Sequence, residues 1–401
     1  MGVKARKTRL CMTRNIGVQR MGGPSRQLQS RAGGHEPQPG YAARVNRLPL
    51  ASSVRTDEHA RPSCAAAFGL VPAELERLGV AAADATFAQL QRPWLWEQGS
   101  PRVSRAARAA IPPDALVLPR LVERCDSTDG SSKLLLAMGE DRVEAVHMPR
   151  AIGTGRVTLC ISSQVGCGMG CAFCATASMG FGRQLSAGEI VAQVLCAMAQ
   201  RGPRHPGEMS VVFMGMGEPL HNLPQVAHAI TVLCQARGLG LSPRRITVST
   251  SGLVPEMAEL AKLSARPLLA LSLNATTDEV RRELMPIGRR YPLAQLKSAL
   301  SCYPLRPRER ITIEYVLLSG VNDHPEDAAR LADFCAEFPH NINLIPFNEH
   351  PHAPFSAPSE ARVSAFARAL LARRPSLVTV RRSRGRDVQA ACGQLAGSAG
   401  L

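Results

Sequence analysis

Aromatic residues are scarce in this chain, since phenylalanine, tryptophan and tyrosine together make up 4% of its 401 residues. No apolar run approaches the roughly 18 residues that a membrane-spanning helix requires. The first residues also lack the apolar stretch of a secretory signal. Acidic residues number 32 against 48 lysines and arginines, yet 45% of the chain is hydrophobic, enough for a sizeable core. We therefore expect a cytoplasmic protein that has no membrane partner.

The positive charge is concentrated at the N-terminus. Residues 1–55 carry nine arginines, two lysines and one acid, which is +10 of the formal net charge of +16. Residues 1–65 show no hydrophobic period, and this composition predicts a disordered basic extension. It could be an organelle address, an RNA-binding arm or an extension without function, with Met12 and Met21 as alternative starts. Composition does not separate these three.

The rest of the chain divides into four segments that differ in their pattern of apolar residues. Residues 66–118 predict a small helical accessory domain, 119–152 a β-hairpin linker, 153–386 a core and 387–401 a C-terminal loop. Six strand-like runs in the core alternate with helical patterns: RVTLCIS, SVVFMG, RITVST, LLALSL, RITIEYVLL and NINLIP. Ser186 and Glu189 form a capping box that opens the first of these helices. This alternation predicts an α/β fold with a parallel sheet, a partial (β/α)6 barrel, with a doubly wound sheet as the alternative.

Three of the twelve cysteines stand in one short segment, CGMGCAFC, at positions 167, 171 and 174. In a chain without an export signal, such clustering favours reduced thiols and a metal or redox site. A structural zinc site needs four ligands, for which His147 or Cys160 could supply the fourth. Three thiolates alone leave one coordination position, or one iron of a four-iron cluster, open for a substrate.

The spacing of these cysteines, with Phe173 before the last, resembles the radical S-adenosylmethionine (SAM) superfamily. The resemblance implies a partial (β/α)6 radical SAM barrel and two cofactors, a [4Fe–4S] cluster held by Cys167, Cys171 and Cys174 and SAM on the fourth iron. Residues that end successive strands would bind SAM, although each polar one taken alone is more often a cap or turn residue. They are Gly217 and Glu218 for the ammonium, Ser249 for the ribose, Ser272, Leu273 and Asn274 at the fourth strand, and Asn348 for the adenine.

Six sequence segments extend the resemblance from the superfamily to one family within it. LCISSQVGCGMGCAFCATASMGFGRQL, GMGEPLHN, RRITVSTSG, EYVLLSGVND, INLIPFN and AACGQLAG, in this order, are similar to the RlmN/Cfr-type RNA methyltransferases. The resemblance implies methylation of adenosine through three catalytic residues: Cys392 carries the methyl group, Cys160 releases the RNA by forming a transient disulfide, and Glu144 removes the purine proton. One departure is Asn274, which stands where the family usually has histidine.

Two regiochemistries remain open at this point. The first is methylation at C2 of an adenosine in 23S rRNA and in tRNA, and the second is methylation at C8, as in the Cfr branch. A third hypothesis, a non-catalytic RNA-binding protein with a structural metal, requires none of Glu144, Cys160 and Cys392. The resemblance further implies RNA as partner, an electron donor such as flavodoxin or ferredoxin, and a thiol reductant.

Overall fold

Parallel strands laid side by side in chain order form the centre of the molecule. The computed structural model describes residues 65–93, 101–150, 156–201, 208–373 and 377–396. All of them belong to one unit, Glu58–Leu401. The disorder predicted for residues 1–65 concerns a segment that, apart from Ala65, lies outside the described residues.

The strands are β1 Arg120–Asp126, β2 Ser132–Met138, β3 Asp141–Pro149, β4 Val157–Ile161, β5 Gln164–Gly166, β6 Phe181–Gln184, β7 Met209–Phe213, β8 Ile246–Thr250, β9 Leu268–Ser272, β10 Ile311–Leu317, β11 His340–Pro346 and β12 Leu377–Val380. The α-helices are α1 Pro72–Arg77, α2 Ala83–Gln91, α3 Arg105–Ala110, α4 Ala175–Ser178, α5 Ala187–Arg201, α6 Leu223–Cys234, α7 Val254–Ala261, α8 Asp278–Leu284, α9 Leu293–Ser301, α10 Pro325–Phe334 and α11 Glu360–Arg373.

The main sheet has the order β1-β2-β3-β4-β7-β8-β9-β10-β11-β12, and β5 pairs with β6 in a separate small hairpin. From β4 onward all neighbours are parallel, whereas β1 to β4 are antiparallel. A doubly wound sheet reverses its strand order at a switch point, and this sheet does not. The predicted α/β fold with a partial barrel is therefore confirmed.

Two strands of the main sheet were not predicted. β12 adds a seventh parallel strand, but its four residues are too few to show a pattern. β1, with the sequence RLVERCD, carries charges on a sheet edge and so reads as a loop in the sequence. The six predicted core strands and the pair β2 and β3 are present.

The capping box predicted at the start of α5 is present. Ser186 N–H donates to Glu189 Oε2 at 2.8 Å, and Glu189 N–H donates to Ser186 Oγ at 3.2 Å. Below this cap, α5 buries Ile190, Val191 and Val194 against the sheet. The predicted reciprocal cap thus fixes where the first core helix begins.

The N-terminal helices pack on the core helices α5 and α6. Phe68, Leu75 and Phe87 belong to the same apolar cluster as the barrel residues. A Cβ on Gly69 would lie 2.5 Å from the backbone nitrogen of Gly188, so only glycine permits this approach to α5. No helix among the described residues is long and apolar enough to cross a membrane.

Candidate functional site

A cavity opens at the carboxyl ends of the parallel strands. In parallel α/β folds this edge is where ligands bind, because the loops that follow the strands converge there. The cavity is lined by ten of the predicted residues: Cys167, Cys171, Cys174, Gly217, Glu218, Ser249, Ser272, Asn274, Asn348 and Cys392. Leu273 is fully buried behind it and donates its N–H to the carbonyl of Glu314 at 3.0 Å.

Hydrogen bonds to neighbouring elements hold the cysteine loop. Cys167 N–H donates to the Gly180 carbonyl at 2.7 Å, and Ala172 N–H donates to the Leu284 carbonyl at the end of α8 at 2.9 Å. Burial, the largest cause, raises the pKa of Cys167 to about 12 and also raises the pKa values of Cys171 and Cys174. All three thiols are therefore protonated at neutral pH, and metal binding must displace these protons.

The structure does not bring His147 or Cys160 to the three cysteines as a fourth zinc ligand. His147 lies on β3 and Cys160 near the end of β4, and neither lines the cavity of the three cysteines. Within the described part of the chain, no three histidine, cysteine or acidic side chains converge on a point that would hold a single metal ion. The three cysteines instead face a shared cavity, the arrangement needed when each thiolate bonds a different iron.

Glu218 is held rigidly at the floor of the cavity. Its Oε2 accepts a hydrogen bond from Ser251 N–H at 2.7 Å and its Oε1 accepts one from Leu220 N–H at 3.1 Å. Burial raises the pKa of Glu218, and these N–H donors oppose that effect. The preceding Gly217 has a φ of 97°, and a Cβ there would lie 2.6 Å from the Gln164 Cβ. Only glycine lets the turn bring Glu218 to this position.

The two serines at the ends of β8 and β9 share a carboxylate. Ser249 Oγ donates to Glu314 Oε2 at 2.9 Å and lies 3.4 Å from Ser272 Oγ. Glu314, on β10, lines the cavity and was not among the predicted site residues. The signal that could have identified it is a carboxylate in the middle of the apolar run ITIEYVLL.

The C-terminal loop lies against the cysteine loop. The Gly393 carbonyl accepts a hydrogen bond from Ala175 N–H at 2.7 Å, and the Leu395 carbonyl accepts one from Thr176 Oγ1 at 2.6 Å. Asn348 Nδ2 donates to the Cys392 carbonyl at 3.1 Å. Cys392 is thereby held at the wall of the cavity, next to the last cysteine of the loop.

Cys392 also lines a second, narrow cavity together with Cys160 and Arg381. Burial and the neighbouring Cys392 raise the pKa of Cys160 to about 12, while the Arg381 guanidinium opposes the shift. Arg381 also lies 3.6 Å from Glu314 Oε1. Both thiols are free. The structure thus brings Cys160 and Cys392 to one cavity and Cys392 and the three-cysteine loop to another.

Known proteins share this architecture. A family model for the radical SAM superfamily matches residues 161–332. A dual-specificity RNA methyltransferase RlmN from Syntrophotalea carbinolica is 50% identical over 274 residues, 68% of this chain and 71% of that protein. Another from an Anaeromyxobacter species is 46% identical over 81% of this chain and 89% of that protein. The crystal structure of a radical SAM methyltransferase from Sphaerobacter thermophilus superposes with a TM-score of 0.73, at 38% identity, covering 83% of this chain and 99% of that one.

The chain belongs to the RlmN family of radical SAM proteins. Its cofactors are a [4Fe–4S] cluster and SAM. The residues present fit both groups: three thiols surround one end of the cavity, and Ser251 Oγ at its wall is buried without a hydrogen-bond partner. Ser251 Oγ can therefore hydrogen-bond to a polar ligand in the cavity.

Asn274, the departure from the RlmN pattern, has a left-handed φ of 56°. Its Oδ1 accepts a hydrogen bond from Val316 N–H at 2.9 Å, and its Nδ2 lies 3.4 Å from Met285 Sδ. Asparagine tolerates this backbone conformation. The amide therefore braces β9 against β10 while it lines the cavity.

Glu144 is the predicted residue that the structure separates from both cavities. It is fully buried in the middle of β3, with Oε1 3.2 Å from Lys133 Nζ. Its Oε2 accepts a hydrogen bond from Ala396 N–H at 3.1 Å. The C-terminal loop that carries Cys392 thus also covers this carboxylate.

Proposed function

We propose that this chain methylates C2 of an adenosine in 23S rRNA and in tRNA, consuming two SAM molecules per turnover, with Cys392 as the methyl carrier. The observation that carries the proposal is the position of Cys392 between two cavities, one lined by the three-cysteine loop and the other by Cys160. The relatives' name, dual-specificity RNA methyltransferase, supports an RNA substrate of two kinds. The RNA-binding alternative without catalysis leaves this pairing of thiols unexplained.

The cavity residues divide the binding of SAM among them. Glu218 and the backbone at Gly217 accept the ammonium, because a buried carboxylate at a glycine turn is open to a close cation. Ser249 and Ser272, with Glu314 behind them, bind the ribose hydroxyls. Cys392 lines the same cavity. Its sulfur attacks the sulfonium methyl carbon of SAM, the S–CH₃ bond to Cys392 forms, S-adenosylhomocysteine leaves and the thiol proton goes to solvent.

The next steps require radical chemistry, since C2 of adenine is too electron-poor to attack a sulfonium methyl group. A [4Fe–4S] cluster held by Cys167, Cys171 and Cys174 would supply this chemistry: one electron for the reductive cleavage of a second SAM, returned to it when the RNA adduct is oxidised. The methyl group on Cys392 would give up a hydrogen atom to the 5′-deoxyadenosyl radical that this cleavage yields, and its carbon would then add to C2. Loss of the C2 proton and of that electron restores the aromatic ring and leaves Cys392 joined to the RNA.

Cys160 releases the product. Its thiolate attacks Cys392 Sγ, the S–S bond forms, and the S–CH₂ bond breaks with its electron pair on carbon, which takes up a proton to give the methyl group. The disulfide is the oxidised product of this step, so a thiol reductant must reduce it before the next turnover. The initial electron requires a low-potential donor such as flavodoxin or ferredoxin.

Glu144 is proposed as the base for the C2 proton. Its carboxylate accepts the Ala396 N–H in the structure, so this role requires the C-terminal loop to lift from β3 when RNA enters. Cys392 lies on the same loop, and one movement would therefore bring the carrier and the base to the RNA together.

The decisive experiment is to trap the covalent intermediate. Cys160→Ala, reconstituted anaerobically with cluster, SAM and RNA, should accumulate a protein–RNA adduct through Cys392. The matched control is Cys335→Ala, since Cys335 is an equally buried cysteine in the core, away from both cavities. Free methylated RNA from Cys160→Ala would refute the assigned role.

Mass spectrometry of nucleosides from a deletion strain tests the regiochemistry. Loss of 2-methyladenosine from ribosomal and transfer RNA supports the proposal. Loss of 8-methyladenosine instead would assign the chain to C8 chemistry, and unchanged nucleosides would favour a non-catalytic role.

A further inference from the structure

Arg281, on α8, is the largest fully buried side chain among the described residues, with none of its surface exposed to solvent. Its Nη2 donates to the Ser251 carbonyl at 2.6 Å, but Nε and Nη1 are buried without a hydrogen-bond partner. A buried and incompletely paired charge costs several kcal/mol. A protein that keeps such a group has a use for the charge at that place.

The surroundings of Arg281 are shaped to admit it. A Cβ on Gly288 would lie 3.2 Å from its Nη1, and a Cβ on Gly252 would lie 3.4 Å from its Nη2. Gly252 also has a φ of 106°, a conformation that favours glycine. Two glycines on different loops therefore leave room for the guanidinium.

Two links join Arg281 to the cofactor site. The carbonyl of Leu284, on the same helix, accepts the Ala172 N–H of the cysteine loop, and the thiol of Cys171 lies within electrostatic range of the guanidinium. Ser251, whose carbonyl Arg281 holds, donates its N–H to Glu218. The carboxylate that acts on Arg281 is Asp278, which already accepts the Leu293 N–H at 2.8 Å.

We infer that Arg281 is the fixed counter-charge of the iron–sulfur cluster: it compensates the negative charge that the cluster thiolates bring and stabilises the reduced form. The cluster binds through deprotonated thiols, so its arrival supplies the negative charge that the buried guanidinium lacks. Net charge and hydrogen bonding around a cluster set its reduction potential. A positive charge buried near the cluster favours the form with one more electron and so raises the reduction potential. Arg281 is thus a positioning residue, and its role is independent of the RNA that the protein methylates.

The test compares Arg281→Gln, which removes the charge, with Arg281→Lys, which keeps it. The control is Arg282→Gln, the next residue on the same helix, whose side chain is exposed and paired with Glu279 at 3.1 Å. Each protein is reconstituted anaerobically, and its reduction potential is measured by a redox titration followed by electron paramagnetic resonance. We expect Arg281→Gln to lower the equilibrium constant for reduction of the cluster at least tenfold, which lowers the potential by 59 mV for one electron. The potentials of Arg281→Lys and Arg282→Gln should remain near that of the wild type.

A thermal-shift measurement gives a second readout. Because the charge is uncompensated in the cluster-free protein, Arg281→Gln should lower the melting temperature less in that form than in the cluster-loaded form. If the melting temperature falls equally in both forms and the reduction potential is unchanged, Arg281 has only a packing role and the inference is wrong. Equal potential shifts in Arg281→Gln and Arg281→Lys would also overturn it. Loss of SAM affinity with an unchanged potential would assign the guanidinium to the SAM carboxylate instead. If the wild type takes up no cluster, the family assignment of cofactors fails, not the placement of Arg281.

Discussion

Lys133 and Glu144 form a buried ion pair whose disruption should be costly. Their side chains are 8% and 0% exposed, and Nζ lies 3.2 Å from Oε1. At that distance the attraction between unit charges is about 5 kcal/mol for an effective dielectric constant of about 20. Lys133→Met removes the ammonium, so the carboxylate loses its buried counter-charge.

The loss of unfolding free energy in Lys133→Met has an upper bound, because a glutamate without its counter-charge can take up a proton. For an ordinary glutamate, with a pKa of about 4.3, this costs about 3.7 kcal/mol at pH 7. We therefore expect Lys133→Met to lower the free energy of unfolding of the cluster-free protein by about 3 kcal/mol, within the range for broken buried pairs.

Urea unfolding at pH 7 measures this loss. Lys262→Met is the control, because Lys262 approaches Glu259 to 2.6 Å but both side chains are more than half exposed, and such pairs contribute less than about 1 kcal/mol. Lys133→Met combined with Glu144→Gln should recover most of the loss, since no uncompensated charge remains. If Lys133→Met costs no more than Lys262→Met, the electrostatic account of this pair is wrong.

Two further outcomes concern the carrier loop. Asn348→Ala removes the donor to the Cys392 carbonyl and to Ser383 Oγ. The kcat for RNA methylation should therefore fall about tenfold, equivalent to about 1.5 kcal/mol, with the cluster absorbance unchanged. Ser383→Ala leaves the bond to Cys392 and should lower kcat less, and an equal loss would contradict the role of that bond. Because burial raises the pKa of Cys160 to about 12, its thiolate fraction rises with pH, and single-turnover release of RNA from the adduct should accelerate about tenfold per pH unit from 7 to 9. A rate that levels off near pH 8 would show that Cys160 is not the thiol being deprotonated.

Features that depend on neighbours in the chain were predictable. The three cysteines stand within one loop, and the polar residues that follow each strand meet because parallel strands present their carboxyl ends at one edge. The capping box at Ser186 and Glu189 needs only one turn of helix. For the same reason, the order of the core strands could be predicted from the alternation of strand-like and helical patterns along the chain.

Burial and long-range contacts were decided by the tertiary structure alone. In the sequence, Arg281 reads as one of several arginines on an amphipathic helix, but Gly252 and Gly288, on separate loops, enclose it. Glu314 and Arg381 likewise became site residues only when β10 and the segment after β12 came together. Glu144 was predicted as a base, yet its pairing with Lys133 and Ala396 depends on how the C-terminal loop lies on β3. The sequence by itself determined which groups are candidates to bind the cluster and SAM, because their chemistry and their order along the chain are local. Which charges are buried, and against what, depends on packing between distant segments, and only the folded chain decides it.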